Sequence, residues 1–217
     1  MMAINDQRYD SLFRMYAAHA PNALHVRPVA DETWKPFEGS RDQLSRLAKG
    51  ETSPAGPLKF SRFSGDVPMD LITTTSVRML LASNRVFDCF RRNNFSGWST
   101  YPVTIAGKED MEVPDYQGLA VRGRCGAIDP SLSIRTLRPG SIFKDAKDDV
   151  MMGVFFDLNT WDGSHIFTPN GGYFVVMEEV KTAMEDIGAT NMKFTRLSEL
   201  ENSAATMAMR RAAGSDQ

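Results

Sequence analysis

Two stretches decide the fold: LLASNRVFDCFRRNNFSGWSTYPV at residues 80–103 and FVVMEEVKTAMEDIGATNMKFTRL at residues 174–197. They align without a gap at an offset of 94 residues, which places Phe174 over Leu80. In each stretch an apolar pair precedes a helical pattern, and the pattern of a return strand follows. Because identity is very low, two alternatives stay open: a duplicated strand-helix-strand unit, or coincidence between two amphipathic helices flanked by strands.

The helix signals inside both stretches are local and specific. In the first, Ser83 is the predicted N-cap, and Val86 and Phe90 belong to the predicted buried stripe. In the second, the predicted helix covers residues 178–187, and Gly188 supplies a left-handed C-terminal cap. We therefore expect the two apolar stripes, together with Phe156, to be buried in one layer or in two related layers.

Further elements are predicted on both sides of these stretches. Apolar residues at helical spacing predict an amphipathic helix over residues 7–19, and Ser40 begins a capping-box pattern for a short helix. Strands are predicted over residues 116–128 and 151–158, the latter apolar enough to be central. The turn signal at residues 169–172 predicts a hairpin, and a last helix is expected over residues 198–211.

Together these elements predict an α+β fold with a mostly antiparallel sheet and flanking helices, in which the strand-helix-strand unit occurs twice if the alignment reflects duplication. Residues 1–65 are expected to form an N-terminal helix and an irregular extension rich in Pro and Gly. Residues 66–200 should form the main domain. Residues 201–217 should contain the end of the C-terminal helix and a frayed tail.

Composition excludes several classes of protein. The chain has 217 residues and a formal net charge of −2, so a large positive field for nucleic acid is absent. The two cysteines, Cys89 and Cys125, do not form a disulfide framework or a thiolate zinc motif. No stretch reaches the roughly 18 apolar residues of a membrane span. We therefore expect a cytoplasmic protein that binds neither nucleic acid nor membrane.

Catalytic signatures are also absent from the sequence. The three histidines, at positions 19, 25 and 165, lack the spacing of a metal site, and no phosphate-binding or nucleophile motif is present. Cys125 follows Arg122 and Arg124, which could lower the pKa of its thiol, but no histidine is placed to serve it, so a plain thiol is the better interpretation. The sequence thus predicts a protein that is not an enzyme and has no metal or cofactor.

The densest polar cluster covers residues 157–165, and three interpretations of it stay open. In an enzyme, His165 would be a base oriented by Asp162 or Asp157, with Ser164 as nucleophile. In a structural interpretation, Asp162 and Gly163 make a tight turn and Trp161 covers the edge of the core. In the third, the cluster contacts a partner. The structural interpretation is favoured because catalytic triads usually gather residues from distant segments.

An ordered series of motifs resembles an immunity-protein family found beside polymorphic toxins in bacteria, immunity protein family eleven. The motifs are Ser83–Phe87, Gly97–Val103, Trp161–Phe167, Tyr173–Lys181 and Asn191–Ser198. The resemblance covers about residues 66–200. One departure is His165, where the family pattern leads us to expect an aspartate in many relatives.

The resemblance implies a binding protein that neutralises a cognate toxin by direct contact and has no catalytic residues. The expected partner-binding residues lie in loops, where recognition is commonly placed. They are Asp145, Asp148 and Asp149 of a charged loop together with Trp161, Asp162 and His165. The alternatives are a small-ligand protein or enzyme with a site near residues 161–165, and an adaptor that dimerises through the N-terminal helix.

Overall fold

The computed structural model describes residues 7–76, 79–139, 147–170, 172–203 and 206. The α-helices of this part of the chain are Arg41–Ala48 (α1), Asn84–Arg92 (α2) and Glu178–Asp186 (α3). The strands are Leu12–Ala17 (β1), His25–Pro28 (β2), Leu58–Ser64 (β3), Leu71–Thr74 (β4), Leu80–Ser83 (β5), Trp98–Ala106 (β6), Tyr116–Val121 (β7), Gly123–Ala127 (β8), Ile134–Pro139 (β9), Lys147–Met152 (β10), Ile166–Asn170 (β11), Phe174–Met177 (β12), Met192–Arg196 (β13) and Glu201–Ser203 (β14).

The strands form a closed barrel and two further sheets. The barrel order is β2-β3-β6-β7-β5-β4, the five-stranded sheet is β13-β1-β12-β11-β8, and the three-stranded sheet is β14-β10-β9. The fold is therefore mostly β, and the predicted α+β class with flanking helices is wrong. The barrel includes the parallel pairs β2–β4 and β3–β6, whose long-range pairing no local sequence pattern signals.

Helices α2 and α3 pack between the barrel wall and the five-stranded sheet. Their buried residues share one hydrophobic cluster with strands β4, β5 and β7 of the barrel and β1, β11 and β12 of the sheet. Val86, Phe90, Val180 and Met184 are all buried in this cluster, whereas Phe156 is buried in a second cluster on the other side of the sheet. The expected burial in two layers is confirmed.

The barrel interior is a hydrophobic core in its own right. Side chains from several barrel strands meet there with residues of α1 and of the connection before it. The buried members are Leu24, Val26, Trp34, Phe37, Leu47, Leu58, Phe60, Ile72, Met79, Leu81, Tyr101, Ile105 and Ala120. A small barrel of this kind is filled by side chains and acts as a rigid scaffold.

In the two stretches that align at an offset of 94 residues, the first strand and the helix begin and end at corresponding residues. Leu80–Ser83 and Asn84–Arg92 correspond to Phe174–Met177 and Glu178–Asp186. In each stretch the two strands flank one antiparallel strand, because β7 lies between β5 and β6 and β1 lies between β12 and β13. We call positions that correspond in this way equivalent positions.

The predicted N-terminal helix over residues 7–19 is wrong. A short 3-10 helix, Gln7–Ser11, leads directly into β1. This strand is central in its sheet, with Phe13 and Met15 in the cluster that contains α2 and Leu12 in the cluster on the other side. Because both faces are covered, the apolar residues do not alternate cleanly, and their spacing imitates a helix. The expected boundary at residue 65 stays a prediction, although β1, β2 and β3 are hydrogen-bonded to strands beyond it.

Three predictions in the second half of the chain also need correction. The predicted central strand over residues 151–158 ends at Met152, because Gly153 has a φ of 86° and residues 154–156 are buried outside the strands. Asp148 and Asp149 lie on β10 and not in a loop. The predicted last helix is replaced at its start by a 3-10 turn, Leu197–Glu199, and by β14, and residues 204–205 and 207–211 lie outside the described residues.

Local signals with a clear physical basis are confirmed. Ser40 caps α1, since its side chain accepts a hydrogen bond from the backbone N–H of Gln43 at 3.2 Å. Strands β11 and β12 form the predicted antiparallel hairpin, and Gly188 ends α3 with a φ of 61°. Ser83 stands at the N-cap position of α2, but its hydroxyl donates to Asp70 instead of capping the helix.

Candidate functional site

The Trp161–His165 segment is a turn fixed by its own hydrogen bonds. Asp162 accepts hydrogen bonds from the backbone N–H of Ser164 at 3.0 Å, from the Ser164 hydroxyl at 2.6 Å and from the backbone N–H of Arg124 at 2.9 Å. Burial alone would raise the pKa of Asp162, but these hydrogen bonds lower it overall. The carboxylate therefore holds the turn against β8.

Trp161 closes the same turn over the core. Its indole N–H donates to the backbone carbonyl of Ser164 at 3.1 Å, and its ring lies 5.2 Å from that of Phe167. Gly97 and Gly123 pack closely against the chain at Ile166, directly after the turn. A Cβ at Gly97 would come within 2.0 Å of the carbonyl oxygen of Ile166, and a Cβ at Gly123 within 2.2 Å of the same atom. The motif around Gly97 and the motif around Trp161 thus meet in space.

His165 joins the turn to the end of α2. The backbone N–H of Ser96 donates to its Nδ1 at 3.2 Å, the Ser96 hydroxyl lies 2.9 Å from the same nitrogen, and the ring of Phe95 lies 5.3 Å away. Since a backbone N–H can only donate, Nδ1 is the accepting nitrogen. The hydroxyl of Ser164 bonds to Asp162, so these contacts do not form the chain of nucleophile, base and acid that a catalytic triad needs.

Among the acidic residues of the expected surface, Asp149 is paired with Arg135. Asp149 accepts three hydrogen bonds from Arg135. Two come from Nε of Arg135, at 2.7 and 3.0 Å, and the third comes from Nη2 of the same guanidinium. The bonds from Arg135 lower the pKa of Asp149. Asp148 is its neighbour on β10, and Asp145 lies outside the described residues. Met151 of β10 and Trp161 pack against the same hydrophobic cluster.

A third polar group, centred on Asp70, was missed by the sequence analysis. Its side chain is 8% exposed and pairs with Arg85, which donates from Nε at 3.1 Å and from Nη2. Ser83 Oγ, Thr190 N and Thr190 Oγ1 also donate to the carboxylate, at 2.7, 2.8 and 2.8 Å. Burial alone would raise the pKa of Asp70, but these bonds hold it well below its ordinary value.

Asp70 and His165 occupy matching places in the two units, one residue before β4 and β11 respectively, although they are 95 and not 94 residues apart. The carbonyl of Asp70 accepts from Ser83 N, and the carbonyl of His165 accepts from Met177 N. Thr190 and Ser96, which are themselves equivalent, contact the side chains of Asp70 and His165. The ungapped alignment does not reveal this relation, because upstream of Leu80 it places Asp70 over Ser164, and a gap of one residue is needed to bring Asp70 over His165.

Two grooves accompany α2 and α3. The α2 groove encloses about 670 Å³ and is lined by residues that include Asp70, Asn84, Arg85, Asp88 and Arg92. The α3 groove encloses about 400 Å³ and is lined by Asn93, Phe95, Glu178, Glu179, Thr182, Ala183 and Asp186. Neither groove presents a cysteine or histidine in its lining.

Cys125 is buried, and burial raises the pKa of its thiol, so the reactive thiolate is disfavoured. The described residues contain no group of three or more His, Cys, Asp and Glu side chains able to hold a metal ion. None of the helices in the described part of the chain is long and apolar enough to cross a membrane.

The comparison with known families decides the relationship. A family model described as "Immunity protein family (Imm11)" matches residues 13–199. The chain belongs to the Imm11 immunity protein family. The Imm11 match begins within β1 and ends just before β14, so it includes the barrel, both grooves and most of the N-terminal segment that the sequence resemblance left out. No curated protein matches the chain.

Proposed function

We propose that this protein neutralises a cognate bacterial toxin by direct protein–protein contact in the cytoplasm of the cell that makes it. The observation that carries the proposal is the Imm11 match over residues 13–199, because immunity proteins act on a toxin partner. The proposal assigns no catalytic step, cofactor or metal to the chain. The proposed recognition residues lie on β10 and on the turn against β8, outside the filled barrel, and recognition residues are commonly placed on loops that a rigid scaffold supports.

The proposed contact surface includes Asp145, Asp148 and Asp149 together with Trp161, Asp162 and His165. Met151 of β10 and Trp161 of the turn pack against the same hydrophobic cluster, which supports a position of β10 close to the turn. An acidic surface suits a toxin that must be basic to hold nucleic acid, since complementary charge accelerates association. Within this surface, Trp161 and Asp162 would maintain the shape of the turn, and the acidic residues would attract the partner.

Reversing both acidic residues of β10, with Asp148→Lys and Asp149→Lys, should slow association with the toxin encoded beside this gene by about tenfold at low salt. At high salt the difference should shrink, because exposed charges are screened over about 10 Å at 0.1 M ionic strength. The measurement is stopped-flow association at two salt concentrations, with circular dichroism to verify folding.

A matched control is the double reversal Glu109→Lys and Asp110→Lys, which changes the net charge equally on the exposed connection after β6. If both double variants slow association equally, the effect comes from net charge alone. Unchanged association of the β10 variant at low salt would remove this strand from the interface. Absence of any complex between the unmodified protein and that toxin would contradict the proposed function.

The alternative, a small-ligand protein or enzyme with a site near residues 161–165, has less support. The carboxylate of Asp162 is occupied by three hydrogen bonds within its own structure, and Trp161 covers the core. A ligand site needs converging polar groups that remain available. Dimerisation through an N-terminal helix has no support, since that segment forms β1 inside a sheet.

A further inference from the structure

Strand β9 forms an open edge of the three-stranded sheet, because in the described part of the chain it pairs with β10 alone. Such an edge presents backbone N–H and C=O groups to which another strand can add, and folded proteins usually cover it. The edge strand β8 of the five-stranded sheet is covered in this way, since Asp162 and Thr160 accept hydrogen bonds from its backbone. Among the described residues, no side chain does this for β9.

The backbone groups of β9 alternate between bonding to β10 and pointing away from it. Gly153 N donates to Leu200 O on the β14 side, so residue 152 and every second residue before it bond to β9. Their partners on β9 have even numbers, which leaves the backbone groups of Arg135 and Leu137 on the open edge. Pro139 shares this parity, and an edge strand accepts proline where the missing N–H faces outwards.

The side chains of β9 are unusually apolar for an open edge. Leu137 is 61% exposed and Ile134 is 50% exposed, and both belong to the small set of large apolar side chains that the described residues expose. Because three positions separate them, they stand on opposite faces of the sheet. An exposed edge strand with apolar side chains favours pairing with another strand.

We propose that β9 pairs with β9 of a second copy of this chain, in antiparallel orientation and centred on Thr136. In this register Arg135 lies opposite Leu137 of the second copy, and the two Thr136 residues face each other across a two-fold axis. Every outward N–H of Arg135 and Leu137 then meets a carbonyl of the other copy. A surface that is complementary to itself about a two-fold axis is the usual basis of a homodimer.

The side chains fit the same register. Residues that lie opposite each other in an antiparallel pair share a face, so the methylenes of Arg135 cover Leu137 of the second copy. On the other face, Arg138 covers Ile134 of the second copy in the same way. The threonine pair at the centre is a favourable cross-strand pair. Both exposed apolar side chains of the edge therefore gain a cover.

Charge favours a second copy over a charged strand of the toxin. Arg135 pairs with Asp149 and Arg138 with Glu201 of the same chain, so neither arginine is left to attract an acidic segment. For the same reason, the pairing of two copies brings no unpaired arginines together. It joins two three-stranded sheets into one continuous sheet, in which the two β10 strands lie about 14 Å apart, three strand spacings.

The first test is the oligomeric state of the full chain. Sedimentation equilibrium at several concentrations should show a dimer that dissociates on dilution. Leu137→Lys should raise its dissociation constant at least about tenfold, because a lysine on an edge strand opposes pairing. The matched control is Met111→Lys, which adds the same charge at a side chain that is 65% exposed and lies outside β9, and it should leave the dimer unchanged. Circular dichroism verifies the fold of both variants.

The second test examines the register through Thr136→Cys. In a pair without direct hydrogen bonds, opposed Cα atoms lie about 4.5 Å apart, within the range of about 4.4–6.8 Å that a disulfide bridges. Mild oxidation should therefore link the two copies, as seen by non-reducing gel electrophoresis. Thr104→Cys, at an exposed position of β6, measures linking by random collision. The native Cys89 and Cys125 are buried and stay out of the reaction.

A monomer at every concentration, or a dimer that Leu137→Lys does not weaken, would overturn pairing through β9. Linking of Thr136→Cys no faster than that of Thr104→Cys would overturn the register. If the unmodified protein is a monomer and Leu137→Lys weakens the toxin complex, a toxin strand occupies the edge, and the second copy is overturned. Neither test of pairing needs the toxin, so failure of the proposed function would leave their results intact.

Discussion

Replacing Phe90 by alanine should lower the free energy of unfolding by about 3–5 kcal/mol, the usual cost of removing a fully buried aromatic ring. Phe90 is 0% exposed and lies within 6.3 Å, centroid to centroid, of the rings of Phe87, Phe95 and Trp98. The loss combines the transfer free energy of the ring with the cavity that the neighbouring helix and strands cannot close. Urea denaturation followed by circular dichroism measures it.

The matched control for this variant is Arg92→Ala, two residues further along α2 and exposed. A surface change of this kind should stay within about 0.5 kcal/mol. If Phe90→Ala costs no more than Arg92→Ala, then α2 does not pack between barrel and sheet as described.

The second large effect is expected at Asp70. Asp70→Ala should destabilise the protein by about 2–4 kcal/mol, because the buried carboxylate is removed and the donors of Ser83, Arg85 and Thr190 lose their acceptor. The cost depends on pH. Since the folded pKa of Asp70 is lowered, its contribution is fully present above the unfolded pKa, about 3.9, and is lost as the pH falls towards the folded pKa.

The measurement is the free energy of unfolding of both proteins between pH 7 and pH 3. The difference between them should be constant above about pH 5 and should shrink below about pH 4. Asp88→Ala, which removes an exposed partner of Arg91 from the same groove, serves as control and should have little effect at any pH. A constant difference down to pH 3 would show that the charge of Asp70 does not stabilise the fold.

The local part of the structure was predictable from the sequence because its signals are local. The Ser40 cap, the stripe around Phe90 and the turn at Gly188 each depend on residues within one or two helical turns. The same holds for the Trp161 turn, where Asp162 bonds to Ser164 two residues away. Such short-range interactions do not depend on how distant segments of the chain are arranged.

The architecture was not predictable because it depends on contacts between distant segments. Asp70 bonds to Thr190, 120 residues away, and β1 pairs with strands near the end of the chain. Burial of β1 on both faces also removed the alternation that identifies a strand, so its apolar residues resembled a helix. The closed barrel, with its parallel pairs, has no local signature at all.

The offset of 94 residues proved more informative than its low identity suggested. It locates the equivalent grooves, and it places Glu179 at the position of Arg85 and Thr190 at the position of Ser96. The expected aspartate at position 165 in relatives would reproduce the Asp70 side chain of the other half. His165 is therefore a position at which we expect partner specificity to differ within the family.

The most direct test of the account is titration of the toxin's activity with this protein. Increasing amounts are added to a fixed concentration of the toxin encoded beside the gene, well above the dissociation constant, and residual toxin activity is measured. If the protein neutralises the toxin by tight binding, toxin activity should fall in proportion to the added protein and end at a fixed stoichiometric ratio. Full toxin activity in the presence of excess folded protein would contradict it.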